Sequence, residues 1–261
     1  MKIRANGIEI NYEIHGKEGA PWLTLSHSLA CSVRMWDPQI AALKDSYRIL
    51  AFDTRGHGAS EATKGAYTLE LLADDLHALL KQLKITSTHY CGLSMGGMIG
   101  QTFALKYPGV FQTLTLADTT SRYPAEAWAL WQDRIKVVEA EGMQPLAQPT
   151  LERWFTEPFR KSSPAVVDDI RKLIVATPPA GYIGCSNAIP KINLTARLKE
   201  IQCPILVIVG ADDPGTPVSM AKEIHDNAPG SKLVILPSAA HLANLEQPEG
   251  FTKALRGFLG G

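Results

Sequence analysis

Short runs of apolar residues alternate with helical patterns along most of the chain. In the first 15 residues, apolar and polar positions alternate as they do in half-buried antiparallel strands. Further apolar runs predict strands at residues 22–25, 48–53, 87–91, 111–117, 204–210 and 232–236. Apolar positions at helical spacing predict helices over residues 69–83 and 247–259. Strands that alternate with helices in this way indicate an α/β fold with a doubly wound, mostly parallel sheet.

The alternation of strands and helices breaks near Thr119. Residues 121–195 carry almost no strand pattern and are typical of short helices separated by prolines. The α/β alternation resumes at residue 204. We therefore predict a core made of residues 1–120 and 196–261, with residues 121–195 inserted into it as a helical cap.

A serine turn follows the predicted strand at residues 87–91. The sequence Gly92-Leu93-Ser94-Met95-Gly96 has the G-x-S-x-G pattern of a nucleophile elbow, although a glycine-rich turn with a bystander serine would match it too. Here a helix-compatible stretch, residues 97–104, follows at once, and strand, turn and helix are the context that the motif requires. We therefore predict that Ser94 is a nucleophile and that the N–H of Met95 is one donor of an oxyanion hole.

A serine hydroxyl is a poor nucleophile until a base takes its proton. Two histidines lie downstream of Ser94, and one of them, His225, falls inside a helical pattern. The other, His241, lies in a loop of small residues directly after the last predicted strand, where open α/β sheets place their chemistry. We predict that His241 is the base.

The base needs an acid to orient it, and three aspartates are candidates. Asp212 and Asp213 follow the predicted strand at 204–210, and adjacent side chains on a turn diverge, so only one should face the histidine. Asp118 ends the strand after the elbow. We rank Asp213 first, Asp212 second and Asp118 third.

The loop after the predicted strand at 22–25 is the expected source of the second oxyanion donor. The N–H of Leu29 is the best candidate, and His27 in the same loop is interpreted as a hydrogen-bonding scaffold residue. His57 is also interpreted as structural. Asp53 and His57 could imitate metal ligands, but nothing in the sequence completes a site, so we predict no metal.

The charge balance argues against a nucleic-acid partner. Acidic and basic residues number 26 each, and no Lys/Arg cluster is longer than two residues. No apolar run approaches the roughly 20 residues of a membrane span, and the N-terminal residues lack the apolar stretch of a signal peptide. The four cysteines are scattered and indicate neither a disulfide framework nor a zinc site. We expect a cytoplasmic protein with no nucleic-acid and no membrane partner.

Four stretches together resemble the α/β-hydrolase superfamily and fall in the order that it uses. They are residues 53–60, 92–97, 210–217 and 240–248. In that family's G-x-x-D-x-x-x-P pattern the acid is the fourth position, which is Asp213 here. The family's His-Gly pair is replaced by His27-Ser28, a departure in the oxyanion loop.

Within the superfamily, the chain is similar to 3-oxoadipate enol-lactonases. The similar stretches are residues 28–29, 34–39, 92–101, 150–156 and 213–217. The resemblance implies a serine hydrolase without cofactor or metal, which opens the ring of 3-oxoadipate enol-lactone in bacterial aromatic catabolism. Its partner would be a small-molecule lactone.

The substrate of those enzymes carries a free carboxylate, so a cation should line the pocket. Arg134, beside Trp131 in the predicted cap, and Arg34, near the oxyanion loop, are the candidates. An ordinary surface salt bridge is the alternative for each arginine. Trp131 and Trp154 are expected in the pocket wall or in the core of the cap.

Other functions stay open at this stage. The same fold supports small-molecule carboxylesterases, C–C bond hydrolases and perhydrolases, whereas a haloalkane dehalogenase needs a carboxylate where Ser94 stands. A non-catalytic receptor for a small ligand is the alternative of another class. A complete set of Ser94, Asp213 and His241 argues against that receptor.

Overall fold

An eight-stranded sheet organises residues 1–260, which are the residues that the computed structural model describes. Its strands are β1 (Lys2–Ala5), β2 (Ile8–His15), β3 (Trp22–Ser26), β4 (Arg48–Phe52), β5 (Thr88–Leu93), β6 (Phe111–Ala117), β7 (Ile205–Gly210) and β8 (Lys232–Leu236). Their order in space is β1-β2-β4-β3-β5-β6-β7-β8. The pairs β1–β2 and β2–β4 are antiparallel, and all other neighbours pair in parallel. The predicted mostly parallel sheet is confirmed.

Helices connect the strands, as the alternating pattern predicts. They are α1 (Asp37–Leu43), α2 (Leu69–Gln82), α3 (Met95–Lys106), α4 (Ala127–Glu141), α5 (Gln144–Trp154), α6 (Glu157–Ser162), α7 (Pro164–Ala176), α8 (Pro179–Ala188), α9 (Val218–Asn227), α10 (Ala243–Glu246) and α11 (Pro248–Leu259). Five of them, α4 to α8, fall between β6 and β7. The limits of the cap at residues 121 and 195 stay a prediction. Among the helices of the described residues, none combines the length and the apolar character that crossing a bilayer requires.

The central strands lie inside the molecule and carry no Asp, Glu, Lys or Arg. Every residue of β5 and of β7 is buried, because helices cover both faces of a parallel sheet. The edge strand β8 is partly exposed. The helix α3 packs on β5 and is buried from its first residue through Ala104, which places its N-terminus at the middle of the sheet.

Parallel strands end at the same edge of the sheet, and the candidate residues follow those ends. The oxyanion loop follows β3, Ser94 follows β5, Asp213 follows β7 and His241 follows β8. In open α/β sheets this edge is where ligands bind. The topology therefore gathers residues that are far apart in the sequence.

The helical segment between β6 and β7 leaves and rejoins the core at one place. The Leu194 N–H donates to the Ser121 carbonyl at 2.8 Å, and the hydroxyls of Ser121 and Thr195 lie 2.7 Å apart. Arg122 and Asn193 form an isolated antiparallel bridge beside them. We call this group of contacts the stem.

Candidate active site

The turn after β5 holds Ser94 in a backbone conformation that residues with side chains rarely adopt. Its φ is +56° and its ψ is −114°, a strain on the order of 1–3 kcal/mol. The Ser94 N–H donates to the Ala117 carbonyl at 2.8 Å, and the Thr119 hydroxyl donates to the Ser94 carbonyl at 2.7 Å. These two bonds hold the turn at the head of α3, where the Ser94 side chain lines a cavity.

The two glycines of the elbow motif are required by space. A Cβ atom on Gly92 would lie 2.3 Å from the Gly96 carbonyl oxygen, and one on Gly96 would lie 2.3 Å from the Ser26 carbonyl oxygen. Real Cβ atoms do not approach backbone oxygens so closely, so any side chain here would push β5, α3 and β3 apart. The close packing expected from the motif is present.

Asp213 and His241 meet across the loops that follow β7 and β8. Asp213 Oδ2 lies 2.8 Å from His241 Nδ1, and both side chains are buried. The N–H groups of Gly215 and Thr216 donate to Asp213 Oδ1 at 2.7 and 3.0 Å, and the Thr216 hydroxyl donates to Oδ2 at 2.7 Å. Nδ1 is bonded to the Asp213 carboxylate, which also accepts the three bonds just described. Nε2 is therefore the ring nitrogen left to act in the cavity.

The charge on Asp213 is stabilised by its surroundings. Burial alone would raise the pKa of Asp213, but the His241 ring and the bonds from Thr216 outweigh burial and hold that pKa below its ordinary value. Asp213 is therefore an anion at neutral pH. An anion in this position can fix the tautomer of His241 and stabilise its protonated form.

The two other candidate acids lie elsewhere. Asp212 is exposed to solvent. Asp118 is fully buried, and its Oδ1 accepts the Gly210 N–H at 2.7 Å. Burial, together with the neighbouring Asp213, raises the pKa of Asp118 well above its ordinary value, so it is unsuited to stabilise a cation.

Ser94 and His241 line the same cavity. No hydrogen bond joins the two side chains in the part of the chain that the structure describes, where the ring of His241 bonds to Asp213 and Thr216. Catalytic hydrogen bonds in a ligand-free site are often long and tighten only when substrate binds.

Two backbone amides are available beside Ser94. Met95 is the first residue of α3, so its N–H has no partner inside the helix. Leu29 lines the cavity from the loop after β3. Within residues 1–260, neither amide donates to another backbone carbonyl. The two candidate donors therefore belong to the residue that follows Ser94 and to a residue of the same cavity wall, and neither N–H is bonded to a backbone carbonyl among residues 1–260.

His27 fixes the peptide that carries the Leu29 amide. Its Nδ1 donates to the Ser28 carbonyl at 2.7 Å, and its Nε2 accepts the Thr54 N–H at 2.9 Å. In a trans peptide the C=O and the following N–H point in opposite directions. A bond that holds the Ser28 carbonyl on one side therefore directs the Leu29 N–H to the other, so the interpretation of His27 as a scaffold residue agrees with its contacts.

His57 and Asp53 also support the loops of the core. Burial, followed by the nearby His27 ring, lowers the pKa of His57 from 6.5 to about 3, and its Nδ1 contacts the Arg55 carbonyl. Asp53 accepts the N–H groups of Val33 and Ala59, both at 2.9 Å. Among the described residues, no group of three or more His, Cys, Asp or Glu side chains could hold a metal ion.

The cavity at Ser94 has a volume of about 220 Å³. The sheet edge forms its floor, and the helices α4, α5, α7 and α8 supply its other walls. Trp131 and Trp154 both line it, and the Trp154 ring lies 5.9 Å from the His241 ring. A space of this size fits a small molecule.

Two arginines line the helical wall of the cavity. Arg134 lies over the Trp131 ring at 4.8 Å, and Arg153 donates to the Thr150 hydroxyl at 3.3 Å. The arginines of residues 1–260 that form salt bridges are Arg34, Arg55, Arg122 and Arg197. Burial, followed by the proximity of Arg134, lowers the pKa of Arg153.

Arg34 does not reach this cavity, contrary to its place among the candidates. Its guanidinium pairs with Glu13, which comes from β2, and lies 3.3 Å from Asp37. Arg34 therefore forms an ordinary surface salt bridge, which was the alternative to substrate binding. Arg153 was not among the candidates, although Thr150, Arg153 and Trp154 follow the i, i+3, i+4 spacing that places residues on one helix face.

Residues 21–248 match the family described as alpha/beta hydrolase fold. The chain belongs to the α/β-hydrolase family. Among relatives in this family, 3-oxoadipate enol-lactonase 2 of Acinetobacter baylyi is 36% identical over 253 residues, which cover 97% of this chain and 94% of that protein. The protein is a hydrolase of this family, and it is similar to 3-oxoadipate enol-lactonases.

Solved α/β-hydrolase structures agree with this placement. The enol-lactonase from Burkholderia xenovorans LB400 superposes with a TM-score of 0.96 at 37% identity and covers 100% of both chains. A malate-bound thermophilic esterase from Thermogutta terrifontis gives a TM-score of 0.94 at 32% identity and covers 99% of this chain and 98% of its own.

Proposed function

We propose that this α/β-hydrolase opens the lactone ring of 3-oxoadipate enol-lactone to give 3-oxoadipate, with Ser94, His241 and Asp213 as its catalytic triad. The observation that carries the proposal is the cavity itself. Ser94 and the His241–Asp213 pair lie on one side, and on the other lie two arginines that form no salt bridge among residues 1–260. A carboxylated ester of small size is the chemistry that such a cavity fits.

In the first half-reaction, Ser94 Oγ attacks the lactone carbonyl while His241 Nε2 takes its proton. The negative charge of the tetrahedral intermediate falls on the carbonyl oxygen, where the amides of Leu29 and Met95 donate to it. One such donor is worth roughly 3–4 kcal/mol in related hydrolases. Breaking the ring C–O bond expels an enolate, which takes the proton held by His241 Nε2 and relaxes to the ketone, so that His241 is neutral again.

In the second half-reaction, water displaces Ser94 Oγ from the acyl carbon. His241 takes a proton from the water, which attacks the acyl ester on Ser94, and the same two amides hold the oxyanion again. The acid leaves and Ser94 regains its proton. Asp213 stays ionised throughout, because the four hydrogen bonds that it accepts stabilise the anion.

Substrate orientation is assigned to the helical wall. The free carboxylate of the lactone would lie between Arg134 and Arg153, with Trp131 and Trp154 against the ring. Support comes from the position of both arginines on the cavity and from the esterase of Thermogutta terrifontis, whose structure holds malate. A guanidinium suits a carboxylate because its planar fork matches the two oxygens.

The proposal is tested with a labelling reagent and a substrate panel. An active-site-directed fluorophosphonate should label Ser94 of the native protein, as mapped by peptide mass spectrometry, and Ser94→Ala should abolish both labelling and turnover while the fold is kept. The panel compares the enol-lactone with uncharged lactones and p-nitrophenyl esters. We expect the highest kcat/KM for the enol-lactone. Labelling at another serine, or no labelling, would overturn the triad.

A general carboxylesterase is the second candidate function. The structural similarity to the Thermogutta terrifontis esterase favours it. It predicts that uncharged p-nitrophenyl esters are turned over at least as well as the enol-lactone. That ranking, with labelling still at Ser94, would replace the lactonase proposal and leave the triad in place.

A further inference from the structure

Glu246 is a buried carboxylate outside the triad. It is the last residue of α10, and only 7% of its surface is exposed. Its Oε1 accepts the Thr156 N–H at 2.9 Å and the Thr156 hydroxyl at 2.7 Å, and its Oε2 accepts the Ala240 N–H at 2.5 Å. Every one of these partners is a backbone or hydroxyl donor, and none is a cation.

The donors that Glu246 joins belong to the two opposite sides of the active site. Ala240 directly precedes His241, which is the base of the proposed triad. Thr156 lies two residues after the end of α5, whose last turn carries Arg153 and Trp154 of the cavity wall. One side chain therefore fixes the distance between the base and that wall.

A second contact crosses the same boundary. The Leu242 N–H donates to the Trp154 carbonyl at 3.1 Å, and the indole of Trp154 faces the His241 ring with the centroids 5.9 Å apart. The Leu242 amide is thus bonded directly to the end of α5, and the Ala240 amide is linked to Thr156 through Glu246. A shift of α5 would be transmitted directly to His241.

Because Glu246 is buried, losing any of its hydrogen bonds should cost free energy of folding. Burial raises the pKa of Glu246, while the bonds from Ala240 and Thr156 oppose the rise; the negative charge of Asp212, nearby on the β7 loop, adds to it. A buried carboxylate is tolerated only while its oxygens are satisfied. An apolar residue at 246 would instead leave the Ala240 and Thr156 amides without acceptors.

We infer that Glu246 is a positioning residue, which holds the loop of His241 and the α5 wall of the cavity in one fixed relation. It acts through its neighbours and does not touch substrate. The inference rests on the proposed serine hydrolase function of the same site. Loss of the contact should slow every reaction that needs His241 in place, and it should also weaken the selection for anionic substrates that Arg153 supplies.

The test compares Glu246→Gln with matched variants. In Glu246→Gln the side chain keeps its shape, but one acceptor oxygen becomes an NH₂ group that faces a donor. Thr156→Val removes the hydroxyl bond to Glu246 together with the N-cap bond from the Phe159 N–H, and it keeps the amide bond to Glu246, whereas Thr156→Ser keeps all three. Glu249→Gln, at an exposed carboxylate on α11, is the control for charge. Each protein is measured at a temperature where circular dichroism shows it fully folded.

Two quantities are measured for each variant. The first is the rate at which a fluorophosphonate labels Ser94, and the second is the ratio of kcat/KM for a carboxylated ester to kcat/KM for its uncharged analogue. We expect Glu246→Gln to slow labelling about 10- to 100-fold, the range that a misplacement near 1 Å produces. The substrate ratio should fall with it. Thr156→Val should show a smaller loss, which Thr156→Ser restores, and Glu249→Gln should match the native protein.

A purely structural role would lower the melting temperature of Glu246→Gln and leave both readouts of the folded protein unchanged. That result, or a native labelling rate in Thr156→Val together with a native rate in Glu246→Gln, would overturn the inference. If Glu246→Gln does not fold, Thr156→Val decides alone through the same two readouts. A native protein that fails to label at all would overturn the proposed function itself, a different outcome from native labelling with unaffected variants.

Discussion

The cavity has two sides that are built differently. On the sheet side, Ser94, Asp213 and His241 follow strand ends, and backbone hydrogen bonds and glycine contacts hold their loops. On the helical side, Arg134 and Arg153 lie on α4 and α5, which reach the core through the stem and through packing. The reaction that we propose depends on the first side, and the choice of substrate depends on the second. Each side should therefore respond to mutation in its own way.

The largest expected effect is on the sheet side, for every substrate alike. Asp213→Asn should lower kcat by roughly 10⁴-fold, because the amide no longer fixes the tautomer of His241 or stabilises its protonated form. The same factor should apply to charged and uncharged esters. Steady-state kinetics with both kinds of ester measure it, and Asp212→Asn, at the exposed neighbour, is the control. Equal losses in the two variants would mean that the acid is assigned incorrectly.

A smaller effect, restricted to anionic substrates, is expected on the helical side. Arg153→Gln and Arg134→Gln each remove a charge-assisted bond of roughly 1.5–3 kcal/mol, so kcat/KM should fall about 10- to 150-fold for the carboxylated lactone. An uncharged lactone should be almost unaffected. Arg34→Gln, on the surface salt bridge, should leave both rates unchanged. If kcat/KM of the arginine variants fell by the same factor for both substrates, the helical side would not act on substrate charge.

The smallest expected effect is on the free energy of unfolding, and it involves His57 on the sheet side. Burial keeps the pKa of His57 at about 3 in the folded protein, whereas the unfolded chain takes up a proton near the ordinary value of 6.5. The unfolded state therefore binds more protons between these values, and the free energy of unfolding should fall as pH falls, by up to about 1.4 kcal/mol per pH unit. His57→Gln should flatten this slope in urea titrations at pH 7, 6 and 5.

The buried His27 contributes to the same slope, since burial also lowers its pKa. The free energy of unfolding of His57→Gln should therefore still depend on pH to some extent. An unchanged slope in His57→Gln would show that His57 is not held neutral by the fold.

The sheet side could be predicted from sequence because local patterns determine it. The strand at 111–117 and the one at 232–236 have the predicted bounds, and the contact of His241 with Asp213, in preference to Asp212, follows from the motif at 210–217. The catalytic roles themselves stay predictions until the variants are measured. Strand ends and turn residues are local signals, and parallel pairing brings them together.

The helical side could be predicted only in part. Its helices were expected, but their faces were not, because prolines interrupt the apolar periodicity. Arg153 and Glu246 acquire their roles from tertiary contacts, Glu246 with a threonine 90 residues away in the sequence. Arg34 was a candidate through its nearness to the oxyanion loop, and its pairing with Glu13 depends on the fold of β2. Pairings across such distances leave no pattern in a single sequence.

The stem has a consequence for how such enzymes diversify. Because Ser121 and Leu194 are hydrogen-bonded neighbours, the chain between them begins and ends at one point of the core. An exchange of that whole stretch between relatives would leave the pairing of the eight strands unaltered. Two requirements limit the exchange. A Cβ on Gly181 would lie 2.0 Å from the Gly56 carbonyl oxygen, so any incoming segment needs a glycine there, and it must also supply the donors that Thr156 gives to Glu246. Within those limits, recombination at the stem can change the substrate while the residues of the sheet side stay the same.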